Sequence, residues 1–319
     1  MIKKYKSSNC PLCGQQANYD FTGQDFMFDR SKLYRYSKCT RCEISFQDPI
    51  PNLKTINSYY PDTYENYNDA KTIKLSYLEK VRLHYHHGYK NIIKTNLLNS
   101  LISKFLLFDH TIINNHPQGK FLDIGCGNGS RMMKMKHLGW SVFGVELNSF
   151  AYKKCKKNKL NVQNTSLEKA DFQNHLFDVI YMSHLIEHLH NPCEVIKICE
   201  SLLKKGGKLY INTPNLKALG RLFFGKYWFA NEVPRHLILY SYEGIKSLIK
   251  NTDFEITYSS FKTTPKIVLN SIDYFFNLKK PSKRNKLFRF FSKIYIFSAF
   301  VFNAGDESFY IIKKRKTRS

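Results

Sequence analysis

Two Cys-x-x-Cys pairs near the start of the chain have the residue type and spacing of metal ligands. Cys10 and Cys13 form the first pair, and Cys39 and Cys42 form the second after a spacer of 25 residues. Four thiolates in two such pairs suit a tetrahedral structural zinc ion, and the lack of a recognisable export signal favours metal binding over disulfides. The sequence therefore predicts a zinc-ribbon-like module over residues 1–48. A metal-free module and a nucleic-acid-binding ribbon are the alternatives.

A glycine-rich turn follows the apolar run Lys120–Ile124. Its residues, Gly125-Cys126-Gly127-Asn128-Gly129, let the backbone approach a ligand closely, and the helix predicted after them offers free N–H groups. Asp123 lies just before the turn, and Glu146 ends the next apolar run, where a carboxylate can accept both hydroxyls of a ribose. Ser130 takes the place of the third glycine of a dinucleotide fingerprint. The turn therefore predicts a nucleotide-type ligand other than a dinucleotide.

A group of acid–base side chains follows the apolar run Phe177–Tyr181. The string from Ser183 to His188 lies at the carboxyl end of this predicted strand, where open α/β sheets bind ligands. On a helix, His184, Glu187 and His188 would share one face. These three side chains either organise the junction beside the ligand pocket or take part in catalysis. Their H-x-x-E-H spacing also fits a zinc-protease pattern.

Residues 213–240 form an arm after the next predicted strand, and such insertions commonly contact substrate. Asn215, Trp228 and Arg235 are the predicted substrate contacts in this arm. Arg235 could bind a phosphate or carboxylate through two hydrogen bonds. His236 is predicted to be the catalytic base, because the ordinary pKa of histidine suits proton removal from a hydroxyl acceptor. A substrate hydrogen bond and a structural role are the alternatives for His236.

From Lys120 onward, short apolar runs alternate with amphipathic segments, and these are the elements that would position the residues described above. This alternation predicts βαβ units and a mostly parallel sheet. A helix that begins near Pro192 and ends at Gly206-Gly207 marks one crossover, and residues 49–116 are expected to form a helical connector or cap. The predicted strands are Lys120–Ile124, Ser141–Glu146, Phe177–Tyr181, Lys208–Asn212, Phe254–Phe261 and Ser308–Lys313.

The motifs and their order along the chain resemble those of the class I S-adenosylmethionine-dependent methyltransferases. Ser166-Leu167-Glu168 and the turn Leu203–Leu209 extend the resemblance over residues 117–260. The resemblance implies a methyltransferase domain over residues 117–319, with a Rossmann-like α/β fold, a seven-stranded sheet and helices on both faces. It implies S-adenosylmethionine as the cofactor. The residues it assigns to cofactor binding are Asp123, Gly125, Cys126, Gly127, Gly129, Glu146, Leu147, Ser166, Leu167 and Ser183.

Three narrower resemblances concern the substrate and the catalytic residues. The string from His184 to His188 resembles that of ubiquinone-pathway O-methyltransferases, in which carboxylates and a histidine hold a metal; His184 replaces their first carboxylate. The arm resembles that of bacterial methyltransferases of surface polysaccharide and modified sugars. Nucleotide-sugar C-methyltransferases also carry an N-terminal cysteine module and use a histidine near the position of His236, but Arg235 replaces their preceding carboxylate. The second and third resemblances predict methylation of a sugar or glycan precursor, and His184, Glu187 and His188 are further catalytic candidates.

The formal net charge of +25 attracts nucleic acids, anionic membranes and anionic substrates without choosing among them. An RNA methyltransferase and a noncatalytic binding module are therefore the alternative functions. The basic aromatic insertion at residues 262–305 contains an apolar stretch, Lys286–Phe302, that is too short to span a bilayer and either packs on the domain or lies on a membrane surface. We expect a cytoplasmic protein that acts on a small-molecule or nucleotide-linked sugar substrate rather than on nucleic acid, and peripheral membrane contact is the alternative to packing of this stretch on the domain.

Overall fold

The computed structural model describes residues 8–60, 74–117, 119–278 and 285–315. The strands in these ranges are β1 (Asn18–Gln24), β2 (Leu33–Cys39), β3 (Ile44–Gln47), β4 (Lys120–Ile124), β5 (Ser141–Val145), β6 (Asn161–Gln163), β7 (Phe177–Ser183), β8 (Leu203–Pro214), β9 (Ile238–Tyr240), β10 (Phe254–Lys262) and β11 (Glu307–Lys314). The α-helices are α1 (Leu53–Asn57), α2 (Tyr77–His87), α3 (Leu97–Phe105), α4 (Ser130–His137), α5 (Ser149–Lys157), α6 (Pro192–Leu202), α7 (Leu219–Phe224), α8 (Tyr242–Leu248), α9 (Pro265–Phe275) and α10 (Lys286–Val301).

The strands form a seven-stranded sheet in the order β10-β11-β8-β7-β4-β5-β6 and a four-stranded sheet in the order β1-β2-β3-β9. In the larger sheet β4, β5 and β6 pair in parallel, whereas β10 and β11 pair antiparallel, so the sheet is mixed. The predicted Rossmann-like α/β fold with a seven-stranded sheet is confirmed.

The chain divides into two compact units. The first comprises Met1–Tyr64, Met182–Glu200 and Tyr210–Arg315, and the second comprises Glu65–Tyr181, Ser201–Leu209 and Lys316–Ser319. The domain boundaries expected after residues 48 and 116 remain predictions.

In the second unit, β4 is the buried centre of the parallel strands. Phe121 and Leu122 of β4 are fully buried, and the register aligns Leu122 with Phe143 of β5. The helix α5 begins after Asn148, whose side chain accepts a hydrogen bond of 2.9 Å from the N–H of Ala151. An asparagine in this position satisfies one of the free donors of the first turn, which is why the helix begins there.

In the first unit, the four-stranded sheet joins the N-terminal cysteine-bearing residues to the arm. Strand β9 lies in the arm and pairs antiparallel with β3, so that Phe46 aligns with Ile238. Both strands are buried along their whole length, and Tyr36 of β2 stacks on Phe21 of β1 at 4.6 Å between ring centroids. No local motif in the sequence predicts this pairing.

The structure differs from the predicted elements at helix α6, strand β8 and strand β6. Helix α6 ends at Leu202, before the predicted stop at Gly206-Gly207, because the chain continues directly into the long strand β8. Gly206 lies within β8 with a φ of 78°, a conformation that glycine adopts without steric cost. Strand β6 was not predicted because its sequence, Asn-Val-Gln, has a single apolar residue.

Helix α10 of the first unit buries one face and exposes the other. Phe288 stacks on Phe276 at 6.1 Å, and Tyr295 donates a hydrogen bond to Asp306. The apolar side chains that remain exposed are Leu287, Phe290, Phe291, Ile294, Phe297, Phe300 and Val301. Within the described residues, no helix is long and apolar enough to cross a membrane. The basic residues Lys279, Lys280, Lys283, Arg284 and Lys316 lie outside the described residues.

Candidate active site

The glycine-rich turn of the second unit is fixed by hydrogen bonds to β5. The N–H groups of Gly125 and Cys126 donate to the carbonyl oxygen of Val145 at 2.9 and 3.2 Å. Gly125, Gly127 and Gly129 all have positive φ, between 54° and 77°. Residues with a Cβ rarely adopt this conformation, so the fold of the turn itself requires glycine.

The surroundings of Gly127 and Gly129 differ in the space that they leave for a side chain. A Cβ added to Gly129 would lie 2.4 Å from Leu160 Cδ1 and 3.0 Å from Cys155 Sγ, so Gly129 allows close packing of the turn on the protein. A Cβ added to Gly127 would meet nothing within 4 Å. Gly127 therefore borders open space, as expected of a backbone that a ligand approaches.

The carboxylate of Glu146 is held beside this turn by backbone donors. Its Oε2 accepts a hydrogen bond of 2.7 Å from the N–H of Gly127, and its Oε1 accepts one of 2.8 Å from the N–H of Asn148. The side chain is buried, and burial raises its pKa, while the backbone donors act in the opposite direction. Each carboxylate oxygen retains acceptor capacity, which fits the two hydroxyls of a ribose.

Asp123, at the end of β4, is also buried. Burial raises its pKa to about 7, and the positive charge of Arg131 partly offsets this shift. The carboxyl group thus lies near the midpoint of its titration at neutral pH. It is suited to exchange hydrogen bonds with a polar ligand in either protonation state.

The other residues assigned to cofactor binding differ in their exposure. Leu147 is 72% exposed, whereas Leu167 is buried. Cys126 Sγ lies 4.0 Å from Cys155 Sγ, which indicates a packing role for this thiol. Ser166 is partly buried.

The acid–base side chains that follow β7 lie in the first unit. Ser183 ends β7 and is partly exposed, and the residues Ile186–His188 form a single turn of 3₁₀ helix rather than the predicted α-helix. His184 has a φ of 51°, and its N–H donates to the carbonyl oxygen of Asn212 at 2.8 Å. The chain therefore bends at His184, which ends the strand before a regular helix can form.

His184 contacts two carboxylates. Its Nδ1 lies 3.4 Å from Oε1 of Glu187, and its Nε2 lies 3.3 Å from Oε1 of Glu307. The pKa of His184 is raised because these hydrogen-bonding and charge interactions outweigh its desolvation. This ring is therefore a charged neighbour of Glu187.

Glu187 is fully buried. Its Oε2 accepts a hydrogen bond of 2.9 Å from the hydroxyl of Thr213. Its Oε1 lies 3.4 Å from Nδ1 of His184, and Nε2 of His236 lies 3.9 Å away. Desolvation raises the pKa of Glu187, but the bond to His184 and the neighbouring histidines together lower it to about 2, so the side chain is a carboxylate at neutral pH.

His236 is buried beside Glu187. Its Nδ1 lies 2.9 Å from the carbonyl oxygen of Ala230, and its Nε2 lies 3.6 Å from Oε2 of Glu232. Burial lowers the pKa of His236 to about 4, despite the two nearby carboxylates. The ring is therefore neutral at physiological pH.

His188 completes this cluster. Its ring packs edge-on against that of His236, with 4.7 Å between the centroids. Its Nδ1 lies 2.9 Å from both the carbonyl oxygen of Arg235 and the hydroxyl oxygen of Tyr60. The structure thus brings Glu187, His188 and His236 together, as their predicted roles at one site require.

The three predicted substrate contacts are buried and bonded to the protein itself. Asn215 donates to the carbonyl oxygen of Gly305 at 2.8 Å, and the indole N–H of Trp228 donates to Asp306 at 2.6 Å. The guanidinium of Arg235 binds both carboxylate oxygens of Asp25, at 2.8 and 3.1 Å, and has no exposed surface. A phosphate could reach Arg235 only by displacing this partner, so the arrangement does not support the predicted substrate contact.

Four residues that the sequence analysis missed support this cluster: Asp25, Tyr60, Thr213 and Glu232. No local motif marks them, because Asp25 and Tyr60 reach the cluster from segments far away along the chain.

The four cysteines of the first unit form a compact cluster. The Sγ atoms of Cys10, Cys13, Cys39 and Cys42 lie within 4.8 Å of one another, and Cys13 Sγ and Cys39 Sγ are 3.7 Å apart. Thiolates bound to one zinc ion at about 2.3 Å lie roughly 3.8 Å apart in a tetrahedron. The N–H of Cys42 donates to the Sγ of Cys39 at 3.3 Å. The cluster therefore fits a tetrahedral metal.

The parallel strands, the glycine turn and the buried carboxylate at the end of β5 together define an S-adenosylmethionine-dependent methyltransferase. The methyltransferase domain family matches residues 94–259, and the chain belongs to this family. This confirms the predicted enzyme class and cofactor.

Among curated proteins, the chain is similar to the ubiquinone biosynthesis O-methyltransferases of Nitrosospira multiformis and Idiomarina loihiensis. The first is 32% identical over 123 residues, which cover 36% of this chain and 52% of that protein. The second is 34% identical over 114 residues, which cover 32% of this chain and 47% of that protein. The chain thus spans about half the length of these curated relatives.

Solved structures similar to this chain include S-adenosylmethionine-dependent methyltransferases from Archaeoglobus fulgidus and Methanosarcina mazei. The first has a TM-score of 0.43 at 20% identity and covers 62% of this chain and 86% of that chain. The second has a TM-score of 0.45 at 16% identity and covers 64% of this chain and 95% of that chain.

Proposed function

We propose that this enzyme transfers the methyl group of S-adenosylmethionine to a hydroxyl oxygen of a small molecule. The observation that carries the proposal is the buried cluster of Glu187, His188 and His236, which offers unprotonated nitrogen and carboxylate atoms to a hydroxyl. The curated relatives, which are named as O-methyltransferases, support the choice of oxygen as the acceptor atom.

The residues proposed to hold the cofactor are those of the second unit. Glu146 would accept the ribose hydroxyls, the backbone at Gly127 would pass close to the ligand, and Asp123 would exchange hydrogen bonds with a polar group. The cofactor supplies an electrophilic methyl group on a sulfonium centre. Holding donor and acceptor in line is the main contribution that a protein makes to such a displacement.

The residues proposed to act on the acceptor are those of the cluster. His236 donates its Nδ1–H to the carbonyl oxygen of Ala230, so the lone pair of the neutral ring is on Nε2. This nitrogen can accept a hydrogen bond, and then the proton, from the acceptor hydroxyl. We therefore keep the proposal that His236 is the catalytic base, with Glu187 and His188 as its neighbours.

Two acceptor classes remain, and each has an observation in its favour. The names of the curated relatives favour a hydroxyl of a ubiquinone precursor, and the exposed apolar face of α10 suits an acceptor that carries a hydrocarbon chain. The predicted sugar or glycan precursor is the second candidate, and it rests on the resemblance of the arm and the N-terminal cysteine module to those of sugar methyltransferases. The paired state of Arg235 argues against a nucleotide-linked sugar bound through that residue.

The experiment that tests the proposal follows a labelled methyl group from S-adenosylmethionine into three acceptor sets: prenylated catechols, nucleotide and lipid-linked sugars, and total RNA. We expect label in one of the first two sets. His236→Gln should lower turnover about 100-fold or more while leaving cofactor affinity unchanged, whereas the exposed neighbour substitution His190→Gln should change neither. Label confined to RNA, or no label in any set, would contradict the proposal.

We further propose that Cys10, Cys13, Cys39 and Cys42 hold one structural zinc ion. The Sγ separations of the cluster support a tetrahedral site of this kind. Protein purified without chelator should contain zinc, and Cys39→Ser should lose it and unfold at a lower temperature. The matched control is Cys193→Ser, because Cys193 lies outside the cluster. Equal zinc content in the two variants would remove the assignment.

The exposed apolar face of α10 is proposed to contact an anionic membrane surface. Lys286, Arg289 and Lys293 are exposed on the same helix, so the aromatic side chains are accompanied by positive charge. The protein should float with phosphatidylglycerol vesicles in low salt and less so in high salt. Phe290→Ser combined with Phe297→Ser should abolish flotation, whereas Phe105→Ser, at an exposed position of α3, should not. Failure of the wild-type protein to float would exclude this contact.

A further inference from the structure

We infer that the N-terminal cysteine-bearing segment positions the proposed base, His236, through two of its side chains, Tyr36 and Asp25. The inference rests on the proposed function, because it concerns the base assigned there. Both side chains are buried, and they bond to arm residues that lie 200 and 210 positions further along the chain. The segment would thus serve the reaction without contacting the acceptor or the cofactor.

Tyr36 of β2 holds the backbone of His236. Its hydroxyl donates a hydrogen bond of 2.8 Å to the carbonyl oxygen of His236. The stacking of its ring on Phe21 of β1 fixes the direction in which this hydroxyl points. Burial raises the pKa of Tyr36, so the hydroxyl remains protonated and remains a donor.

Asp25 holds the residue that precedes His236. Its two oxygens bind the guanidinium of Arg235, and its Oδ1 also accepts two backbone N–H groups of its own loop, at 2.9 and 3.1 Å. Nε of Arg235 donates to Oε1 of Glu232 at 3.1 Å, and Oε2 of Glu232 lies 3.6 Å from Nε2 of His236. The loop after β1 is therefore linked through Arg235 to a carboxylate beside the base.

These contacts hold the backbone of His236 from both sides. The bond from its Nδ1–H to the carbonyl oxygen of Ala230 orients the ring, but only while the backbone at His236 keeps its place. A base must lie within hydrogen-bond reach of the proton that it removes, and a displacement of about 1 Å can lower turnover roughly 100-fold. The residues proposed to hold the cofactor belong to the other unit, so we expect cofactor affinity to be unaffected.

The arm and the sheet are joined without the hydroxyl of Tyr36. The ladder between β3 and β9 begins where the N–H of Gln47 donates to the carbonyl oxygen of Leu237 at 2.8 Å, and it continues to Tyr240. Tyr240 is also fully buried, yet its hydroxyl forms no hydrogen bond within the described residues. Tyr240→Phe is therefore a matched control for Tyr36→Phe, because each removes one buried hydroxyl from the same sheet.

The first experiment is a double-mutant cycle in the full chain, with labelled methyl transfer into the acceptor set that the wild-type protein methylates. Tyr36→Phe should lower kcat about tenfold and leave the dissociation constant of S-adenosylmethionine unchanged. In the His236→Gln background the same change should lower kcat less than about twofold, because Tyr36 acts through the base. Tyr240→Phe should leave kcat unchanged in both backgrounds.

The second experiment needs no acceptor and observes the ring nitrogens of the histidines by ¹⁵N NMR. The signals of His236 are identified by their loss in His236→Gln. In wild-type protein they should report a neutral ring with its proton on Nδ1, held by Ala230. Tyr36→Phe should shift them toward a mixture of the two tautomers, and Asp25→Asn should do the same, whereas Tyr240→Phe should not.

Three results would overturn the inference. One is wild-type turnover in Tyr36→Phe when His236→Gln is impaired, and another is an equal loss from Tyr36→Phe in both backgrounds, since the hydroxyl would then act independently of the base. The third is an unchanged set of His236 signals in Tyr36→Phe. Wild-type turnover in His236→Gln, or no labelled acceptor, would instead contradict the proposed function, and the NMR signals would still decide whether Tyr36 positions the ring.

Discussion

Replacing Glu146 by glutamine tests the assignment of this carboxylate to the cofactor. In the native side chain both oxygens accept a backbone N–H, at 2.7 Å from Gly127 and 2.8 Å from Asn148. A glutamine amide has one oxygen and one NH₂ group, so one backbone donor would face another donor. This mismatch in a buried place should cost about 1–3 kcal/mol of folding stability.

The substitution should also weaken cofactor binding, which is an effect separate from the loss of folding stability. Hydrogen bonds to a charged acceptor contribute about 1.5–3 kcal/mol, and each 1.4 kcal/mol is a factor of about ten in affinity. Losing the charged acceptor for the ribose should therefore raise the dissociation constant roughly 10- to 150-fold. Titration calorimetry of S-adenosylmethionine into the two proteins measures this ratio directly.

A matched control and a folding check make the test decisive. Asp171→Asn removes an exposed carboxylate from the same unit and should change the affinity by less than about twofold. Circular dichroism would confirm that Glu146→Gln remains folded at the temperature of the titration. A folded variant whose dissociation constant stays within threefold of wild type would refute the assignment of Glu146.

Three further predictions concern the fold and the cofactor turn. Burial raises the pKa of Asp123 to about 7, so the folded protein holds a proton that the unfolded chain releases above about pH 4. The free energy of unfolding, measured in urea, should therefore fall as the pH rises from 4 to 7. Asp123→Asn should make this fall smaller. Asp25→Asn should cost about 3–5 kcal/mol of stability in the same assay, because it leaves the buried guanidinium of Arg235 without its bidentate partner. Gly129→Ala should lower the thermal unfolding temperature more than Gly127→Ala, because only the first added methyl group meets neighbouring atoms, and a reversed order would contradict the packing described for the turn.

The parts of the site that could be predicted from the sequence are those encoded by local order. The strand Lys120–Ile124 has the bounds that its apolar run predicts, and the glycine turn and Glu146 follow it at readable spacings. These features depend on neighbouring residues and on the regular geometry of a parallel sheet. The predicted family and cofactor follow from them and are confirmed.

The contacts that determine the role of Arg235 could not be predicted, because they depend on pairing between distant segments. Asp25 lies in a loop after β1, and nothing in its local sequence marks it as the partner of an arginine in the arm. The prediction treated Arg235 as open to substrate because an exposed arginine and a buried, paired one look alike in sequence. For the same reason the pairing of β3 with β9 was missed.

The pairing of β3 with β9 also has a consequence for the order in which the polypeptide is made. Phe46 finds its neighbour Ile238 only after roughly 190 more residues have been synthesised. At about 5–20 residues per second, the edge of β3 waits on the order of 10–40 s after leaving the ribosome. An unpaired strand edge is a site where other chains can attach, so the nascent protein should depend on chaperones during this interval more than its finished fold suggests.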